Sequence, residues 1–163
     1  MARILYCISG LRKYGAERQL FLLIKNLHKK HEIRVVSFQG GHYEKKLWNL
    51  HVRTRVLHAN NLFDAGFVYK GIVAEIKSFK PDIIHSWLPH ANIMCKVVKF
   101  FSKQKFKLIC SVRVTERKLW HLNLIEWITK SQADAVVTNS KATQKFLKKQ
   151  CFNDVNVIYN AYS

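Results

Sequence analysis

The chain has 163 residues, of which 48% are hydrophobic and 12% are aromatic. This length is typical of one domain that buries about two-thirds of its unfolded surface. The apolar content excludes an intrinsically disordered chain, and the 2 prolines leave no obvious linker. We therefore expect a single globular domain over residues 1–163.

The charge of the chain is strongly unbalanced. Lysine and arginine total 28 against 10 aspartate and glutamate residues, which gives a net charge of +18 at pH 7. Such a balance predicts an anionic partner, and nucleic acid, a membrane surface and a phosphorylated ligand would each fit. A compositional bias from an AT-rich gene would give the same charge without any partner. Charge alone does not decide among these.

The termini and the cysteines indicate a cytoplasmic protein. The apolar run after Met1 is too short for a signal peptide core, and no later run is long enough for a membrane span. The 4 cysteines lack CxxC spacing and most stand in apolar runs, which favours buried reduced thiols over disulfides or metal ligands. They are Cys7, Cys95, Cys110 and Cys151.

Short apolar runs alternate with helical patterns along the chain. This order is typical of stacked βαβ units, and it predicts an α/β, Rossmann-like fold with a mainly parallel sheet of about seven strands. Most runs are unbroken rather than alternating, as expected when helices cover both faces of the sheet. The predicted strands lie near residues 4–8, 33–38, 55–57, 82–86, 108–112, 135–138 and 155–158.

Apolar residues at helical spacing lie between the strands. Their spacing predicts helices over 16–27, 69–76 and 93–101. The second should stop at Lys80, because a residue that precedes a proline disfavours the helical conformation. Ser140 is predicted to cap a fourth helix. Residues 39–51 are the least periodic and are predicted to form a loop or a short helix.

Two of the 6 glycines, Gly10 and Gly15, stand where the first strand passes into the first helix. In open α/β sheets ligands bind beyond the carboxyl ends of the strands. A helix N-terminus favours an anion, and a missing side chain lets a phosphate approach the backbone. Glu17 is well placed against the same helix dipole. The glycines would equally permit a tight turn, and the GxGxxG and Walker A patterns are absent.

The segment "HSWLPHAN" brings His85, Trp87 and His90 to the end of the fourth strand. A histidine there can act as a general acid or base, although a histidine is often simply a core or surface residue. No third ligand of suitable spacing accompanies the pair, so a metal site is not predicted. Arg113 ends the fifth strand, where it could hold a phosphate or carboxylate or be a solvated loop charge.

An apolar, tryptophan-bearing segment follows Arg113. In "ERKLWHLNLIEWITK", Arg117 and Lys118 stand beside Trp120, and Trp127 lies further along the predicted helix. Tryptophan and basic residues together suit a membrane surface that carries anionic lipid. Ordinary core packing is the alternative explanation.

Four segments together resemble the N-terminal domain of a family-4 glycosyltransferase with the GT-B fold. "YGAERQL" resembles the family's "GGAE" loop, with Tyr14 in place of the first glycine. "PDIIHSWLPHAN" is similar to the family's strand and rim segment, and "VVTNSKATQKFL" to its sixth strand and following helix. "VNVIYNAYS" is similar to the "V-I-P-N-G" stretch that enters the interdomain linker. The four matches occur in order along nearly the whole chain.

The resemblance implies two Rossmann-like domains that face each other across a cleft. The N-terminal domain holds the acceptor, and the C-terminal domain holds most of a nucleotide-sugar donor. The E-x7-E signature of the second domain has no counterpart in this sequence. We therefore expect the acceptor half alone, as a shortened chain, a truncated gene product or one subunit of a split enzyme. It should be inactive until a C-terminal domain or a partner subunit completes it.

The resemblance also implies roles for single residues. Gly15, with Glu17, belongs to the loop whose backbone approaches the donor phosphates when the cleft closes. His85 and His90 are similar to catalytic rim histidines near the reacting sugar. Arg113 is similar to a subgroup arginine that contacts the acceptor or a phosphate. This sequence departs from the family pattern at Tyr14, Trp87, Ala161 and Tyr162.

The implied reaction is transfer of a sugar from the nucleotide-sugar donor to a lipid-linked or polysaccharide acceptor. The resemblance implies retention of configuration and no metal. No cofactor is expected either, because the nucleotide-sugar is itself a substrate. A lipid-linked acceptor would place the protein on the inner face of a membrane and account for the basic surface. The alternatives are a basic noncatalytic domain that binds nucleic acid or anionic membrane, and a degenerate scaffold. Nucleic-acid binding is the less favoured function. The net charge accounts for less of the order of residues along the chain than the four family-like segments do.

Overall fold

A single parallel sheet forms the centre of the protein. The structure is a computed structural model that describes residues 1–59, 61, 64–113, 130–149 and 154–161. The sheet has 7 strands in the order β3-β2-β1-β4-β5-β6-β7, and all its pairings are parallel. The predicted α/β fold is therefore confirmed. The strands are β1 (Arg3–Gly10), β2 (Glu32–Gln39), β3 (Arg53–Val56), β4 (Ile83–Trp87), β5 (Lys107–Val112), β6 (Ala135–Thr138) and β7 (Val155–Val157).

The helices of the described residues follow the predicted apolar patterns. The least periodic segment contains a short helix, and a 3-10 helix (Lys130–Gln132) precedes β6. The second long helix ends at Phe79, so it stops at Lys80 as predicted from Pro81, and Lys80 itself takes a left-handed conformation. The helices are α1 (Gly15–Leu27), α2 (His42–Asn49), α3 (Ala65–Phe79), α4 (Pro89–Phe101) and α5 (Lys141–Lys149).

Apolar cores lie on both faces of the sheet. Along β1, Tyr6 and Ile8 pack with side chains of α1 and α2 on one face. Leu5 and Cys7 point to the other face, where α3 and α4 cover them. Successive side chains of a strand alternate between faces, so β1 must be apolar throughout when helices cover both. The unbroken apolar run that predicted this strand has that physical cause.

The described cysteines are reduced and buried, as predicted. Cys7, Cys95 and Cys110 are free thiols in the core that α4 covers, and Cys151 lies outside the described residues. The pKa of Cys95 is raised well above its ordinary value by its hydrogen bond with Cys7 and by burial. Among the described residues no helix is long and apolar enough to cross a membrane.

The strand order opens a crevice between β1 and β4. The chain passes from β1 outward to β2 and β3, then crosses back to β4 and continues through β5, β6 and β7 on the other side. Connections after β1 and after β4 therefore leave the sheet in opposite directions. In doubly wound sheets this switch point leaves room for a ligand beyond the carboxyl ends of the strands.

Candidate functional site

A cleft of about 420 Å³ lies at this carboxyl edge. Residues after β1, β4, β5, β6 and β7 contribute to its walls, so distant parts of the chain converge there. Of the predicted site residues, Gly15, Glu17 and Arg113 line the cleft together. The lining residues are Tyr14, Gly15, Ala16, Glu17, Leu88, Arg113, Asn139 and Asn160.

Gly15 is the first residue of α1, and the fold itself does not require a glycine there. Its φ is not positive, and a Cβ built on it would meet no atom within 4 Å. Tyr14, which precedes it, makes no side-chain capping hydrogen bond. The first N–H groups of a helix have no intrahelical partner. The missing side chain therefore leaves open space at an anion-favouring helix end.

Backbone crowding requires a glycine at Gly41 instead. A Cβ at Gly41 would stand 2.6 Å from the carbonyl oxygen of Leu11. That oxygen already accepts a hydrogen bond from the Tyr43 N–H at 3.0 Å. Gly41 thus allows the chain after β2 to touch the loop after β1, whereas Gly15 serves no such contact among the described residues.

Glu17 is buried at the wall of the cleft. Burial raises the pKa of its carboxyl group above the usual range, while a hydrogen bond from its own backbone N–H and the charge of Arg12 oppose the rise. The acidic group therefore occupies part of the helix N-terminus and is more readily protonated than an ordinary glutamate.

Arg113 presents a cationic fork to the cleft. Its guanidinium lies over the ring of Trp87, with the central carbon 4.5 Å from the ring centroid. Its Nη1 donates to the Asn160 Oδ1 at 2.7 Å, whereas its buried Nε has no hydrogen-bond partner in the described structure. Burial lowers the pKa of Arg113 from its ordinary value. The side chain is held by stacking and one hydrogen bond, and it keeps donors for a ligand.

Four buried side-chain atoms lack hydrogen-bond partners among the described residues, and all four lie at this edge of the sheet. They belong to the penultimate residue of β1, to the last residues of β4 and β6, and to Arg113 after β5. A buried polar atom without a partner costs about 1–3 kcal/mol, so a group of them calls for an explanation. A polar ligand at the carboxyl edge would supply one. The atoms are Ser9 Oγ, Trp87 Nε1, Arg113 Nε and Thr138 Oγ1.

The two predicted catalytic histidines are placed differently, and neither is among the residues that line the cleft. The Nε2 of His85 is 2.9 Å from Ser111 Oγ, and its ring contacts the rings of both Tyr6 and Trp87. Burial, assisted by the charge of Arg113, lowers the pKa of His85 to about 3. His85 is therefore neutral near pH 7. His90 is exposed in the first turn of α4.

Comparison with known proteins identifies the family. Residues 14–163 match the model of Glycosyltransferase Family 4. The chain belongs to this family.

This family-4 chain is 31% identical, over 109 residues, to a Campylobacter jejuni enzyme, with 61% of the chain and 29% of that protein covered. The relative is named GalNAc-alpha-(1->4)-GalNAc-alpha-(1->3)-diNAcBac-PP-undecaprenol alpha-1,4-N-acetyl-D-galactosaminyltransferase. The family-4 chain thus spans less than a third of this relative.

Solved structures share the fold at low sequence identity. Anabaena HepE in complex with UDP and glucose has a TM-score of 0.81 at 17% identity, over 100% of this chain and 45% of that one. Acinetobacter baumannii MurG has a TM-score of 0.68 at 9% identity, over 100% of this chain and 47% of that one. The fold is that of an N-terminal-type fragment of a GT-B glycosyltransferase, and it spans about half the length of these neighbours.

Five of the eight residues that line the cleft of the family-4 chain were not predicted as site residues from the sequence, and two of them, Tyr14 and Ala16, are the neighbours of Gly15. Asn139 and Asn160 follow β6 and β7 and line the cleft. The sequence pattern could have indicated both as site residues, since each is a polar residue soon after an apolar strand. Leu88 gave no such signal, although its φ of 74° and ψ of 155° lie in a region that residues with a side chain rarely adopt. That conformation costs about 1–3 kcal/mol and is typical of functional sites.

A buried polar network supports the same edge. The Ser86 Oγ donates to the Asn92 Oδ1 at 2.7 Å, and the Asn92 Nδ2 donates to the Ser111 carbonyl oxygen at 2.9 Å. Ser111 Oγ in turn pairs with His85. Hydrogen bonds thus join the first turn of α4 to β4 and β5, which orders the strand ends beneath Trp87.

The proposed membrane-facing residues lie outside the described part of the chain. They are Arg117, Lys118, Trp120 and Trp127. Their placement at a membrane stays a prediction.

Proposed function

We propose that this chain is the acceptor-binding half of a glycosyltransferase that transfers a sugar from a nucleotide-sugar donor to a lipid-linked or polysaccharide acceptor. The observation that carries the proposal is the cleft in which Gly15 and Arg113 meet at the carboxyl edge of the sheet. A helix N-terminus whose first residue has no side chain and an arginine fork are together suited to a diphosphate, and Glu17, whose carboxyl group occupies part of that N-terminus, is more readily protonated than an ordinary glutamate.

In the proposed reaction the donor diphosphate approaches the backbone at Gly15. The N–H groups of the first turn of α1 and the guanidinium of Arg113 stabilise negative charge as the sugar leaves the diphosphate. Such groups accelerate transfer because they are already oriented before the charge develops. The remaining donor contacts come from a second domain or a partner subunit, so we expect the isolated chain to bind weakly and not to catalyse transfer.

The histidines are proposed to act at the acceptor side. His85 is neutral, so its contribution is hydrogen bonding and support of Trp87 rather than donation of a proton from an imidazolium ion. His90, exposed at the start of α4, is free of the core and is the better candidate to contact an acceptor hydroxyl.

A membrane location of the acceptor is supported by the basic surface. Helix α5 carries exposed lysines and no acidic residue, and Phe146 on the same helix is 38% exposed. Such a helix suits the headgroup region of an anionic bilayer. The Campylobacter jejuni relative is named for an undecaprenol-linked diphosphate acceptor. The lysines are Lys141, Lys145, Lys148 and Lys149.

Titration of the chain with UDP, followed by amide chemical shifts, tests this function. We expect shifts at Gly15 and Ala16, and binding weakened at least about tenfold by Arg113→Gln. Arg53→Gln is the matched control, because Arg53 begins β3 at the far edge of the sheet and exposes its side chain. Shifts that avoid the cleft, or equal affinity of Arg113→Gln and wild type, would remove the basis of the proposal.

The alternatives have their own signatures in the same experiments. A basic noncatalytic domain would bind duplex DNA or anionic vesicles and leave the cleft amides unchanged by UDP. Transfer activity should appear when a donor-binding domain of the same family is added and forms a complex. A complex without activity would favour a degenerate scaffold.

A further inference from the structure

One glutamine attaches the chain that follows the last strand to the first helix. The Gln19 Nε2 donates to the Ala161 carbonyl oxygen at 2.9 Å, and the Ala161 N–H donates to the Gln19 Oε1 at 2.9 Å. Both ends of the amide are therefore used, across 142 positions of sequence. A paired hydrogen bond of this kind fixes the backbone in direction as well as in distance.

The attached segment carries the partner of Arg113. Asn160 precedes Ala161, and its Oδ1 accepts the Nη1–H of Arg113 at 2.7 Å. The last backbone bond between this segment and the sheet is that of the Ile158 N–H with the Thr138 carbonyl oxygen, at 2.8 Å. Beyond that bond, the hydrogen bonds at Asn160 and Ala161 are the ones found for this segment in the described residues.

We propose that Gln19 is a positioning residue that orients Arg113 for the anionic ligand of the cleft. The path runs from the Gln19 amide through the Ala161 backbone and the Asn160 amide to the guanidinium of Arg113. This proposal rests on the function proposed above, because it assigns the oriented guanidinium to the donor diphosphate.

The geometry explains why a second anchor is useful. An arginine side chain has many rotamers, and stacking on Trp87 restricts the plane of the guanidinium but not its rotation within that plane. The hydrogen bond to Asn160 restricts that rotation, provided that Asn160 is itself held. Gln19 holds the neighbouring Ala161 from α1, the helix whose first turn also lines the cleft. The first turn of α1 and the guanidinium of Arg113, which both contact the diphosphate, are thereby held in a fixed position relative to each other.

The test uses Gln19→Met, which keeps the length and helix propensity of the side chain and removes both hydrogen bonds. The matched control is Gln144→Met, since the Gln144 Nε2 donates from α5 to the Val155 carbonyl oxygen at 2.7 Å, away from the cleft lining. The first readout is the Nε–H signal of Arg113 in nitrogen-15 spectra, assigned by its loss in Arg113→Lys. The second readout is UDP affinity.

We expect Gln19→Met to move the Arg113 Nε–H signal and speed its exchange with solvent, and Gln144→Met to leave both unchanged. UDP affinity should fall about fivefold in Gln19→Met. Asn160→Ala should produce the same loss, and adding Gln19→Met to it should cost nothing more, because both act through one contact. If the two substitutions instead destabilised the fold in general, their separate losses of UDP affinity would multiply in the double variant.

An unmoved Arg113 signal in Gln19→Met would overturn the proposal, and so would multiplied losses in the double variant. Absence of UDP binding by the wild-type chain would contradict the proposed function. The Arg113 signal would still decide whether Gln19 orients the guanidinium.

Discussion

Replacement of Gly15 by alanine separates the needs of the fold from those of a ligand. The Cβ would meet no atom within 4 Å, and the φ at Gly15 is not positive, so the native state accepts alanine without strain. Alanine restricts the unfolded chain, and Gly15→Ala should therefore stabilise the protein by about 0.4–1 kcal/mol. Gly66, near the start of α3, also has no atom within 4 Å of its would-be Cβ. Gly66→Ala is thus a matched control.

Ligand binding should respond to Gly15→Ala in the opposite direction. A phosphate oxygen bonded to the first N–H groups of α1 lies about 2.7–3.2 Å from nitrogen, in the space that the new methyl group would fill. Loss of one hydrogen bond to a charged group costs about 1.5–3 kcal/mol. UDP affinity should accordingly fall by about tenfold or more.

Thermal unfolding and calorimetric UDP titration of both variants provide the assay. Gly15→Ala and Gly66→Ala should be equally stable, and Gly15→Ala alone should bind UDP poorly. If Gly15→Ala bound UDP as tightly as the wild type, close approach of the ligand to this backbone would be refuted. A marked loss of stability in Gly15→Ala would show that the turn itself needs glycine.

Three further outcomes are expected. The pKa of His85 is about 3 in the folded protein and 6.5 in the unfolded chain, so between these pH values only the unfolded state binds a proton at this residue. The free energy of unfolding should therefore fall by about 2 kcal/mol from pH 7 to pH 5. In urea unfolding, His85→Phe should show a smaller loss of unfolding free energy between pH 7 and pH 5. An unchanged loss would contradict a neutral His85 ring in the folded protein. Gly41→Ala should destabilise the fold by about 1–3 kcal/mol in the same assay, because its Cβ would collide with the Leu11 backbone. Ser140→Ala should cost about 1 kcal/mol, because the Ser140 Oγ accepts the Thr143 N–H at 3.1 Å; an unaltered midpoint would argue against that cap.

The strands were predictable because their apolar pattern has a local cause. A strand covered by helices on both faces must be apolar at successive positions, and β1 with its buried Leu5 and Tyr6 shows that pattern in the sequence alone. Strand ends are less well defined by local pattern. β4 continues to Trp87, one residue beyond the predicted end, so Trp87 belongs to the strand itself, and His85 lies inside the strand beside Tyr6.

The site was predictable only in part. Gly15, Glu17 and Arg113 were singled out because each follows a recognisable strand, and the structure places all three at the candidate cleft. Asn160 was not predicted because its contact is with Arg113, 47 positions earlier in the chain. The unusual backbone of Leu88 was missed for a related reason, since a leucine gives no sign that packing will hold it at a positive φ.

The amino-acid sequence by itself determined the alternation of strands and helices, the parallel sheet and the edge at which the cleft lies, because these depend on the spacing of apolar residues and on general rules of chain connection. The tertiary structure alone decided which side chains meet at that edge and in what state. It placed the ring of His85 beside Tyr6 and Trp87, where the ring stays neutral, stacked Arg113 on Trp87, and brought Gln19 to Ala161. Such contacts depend on how distant segments pack together, and no local pattern of residues specifies them.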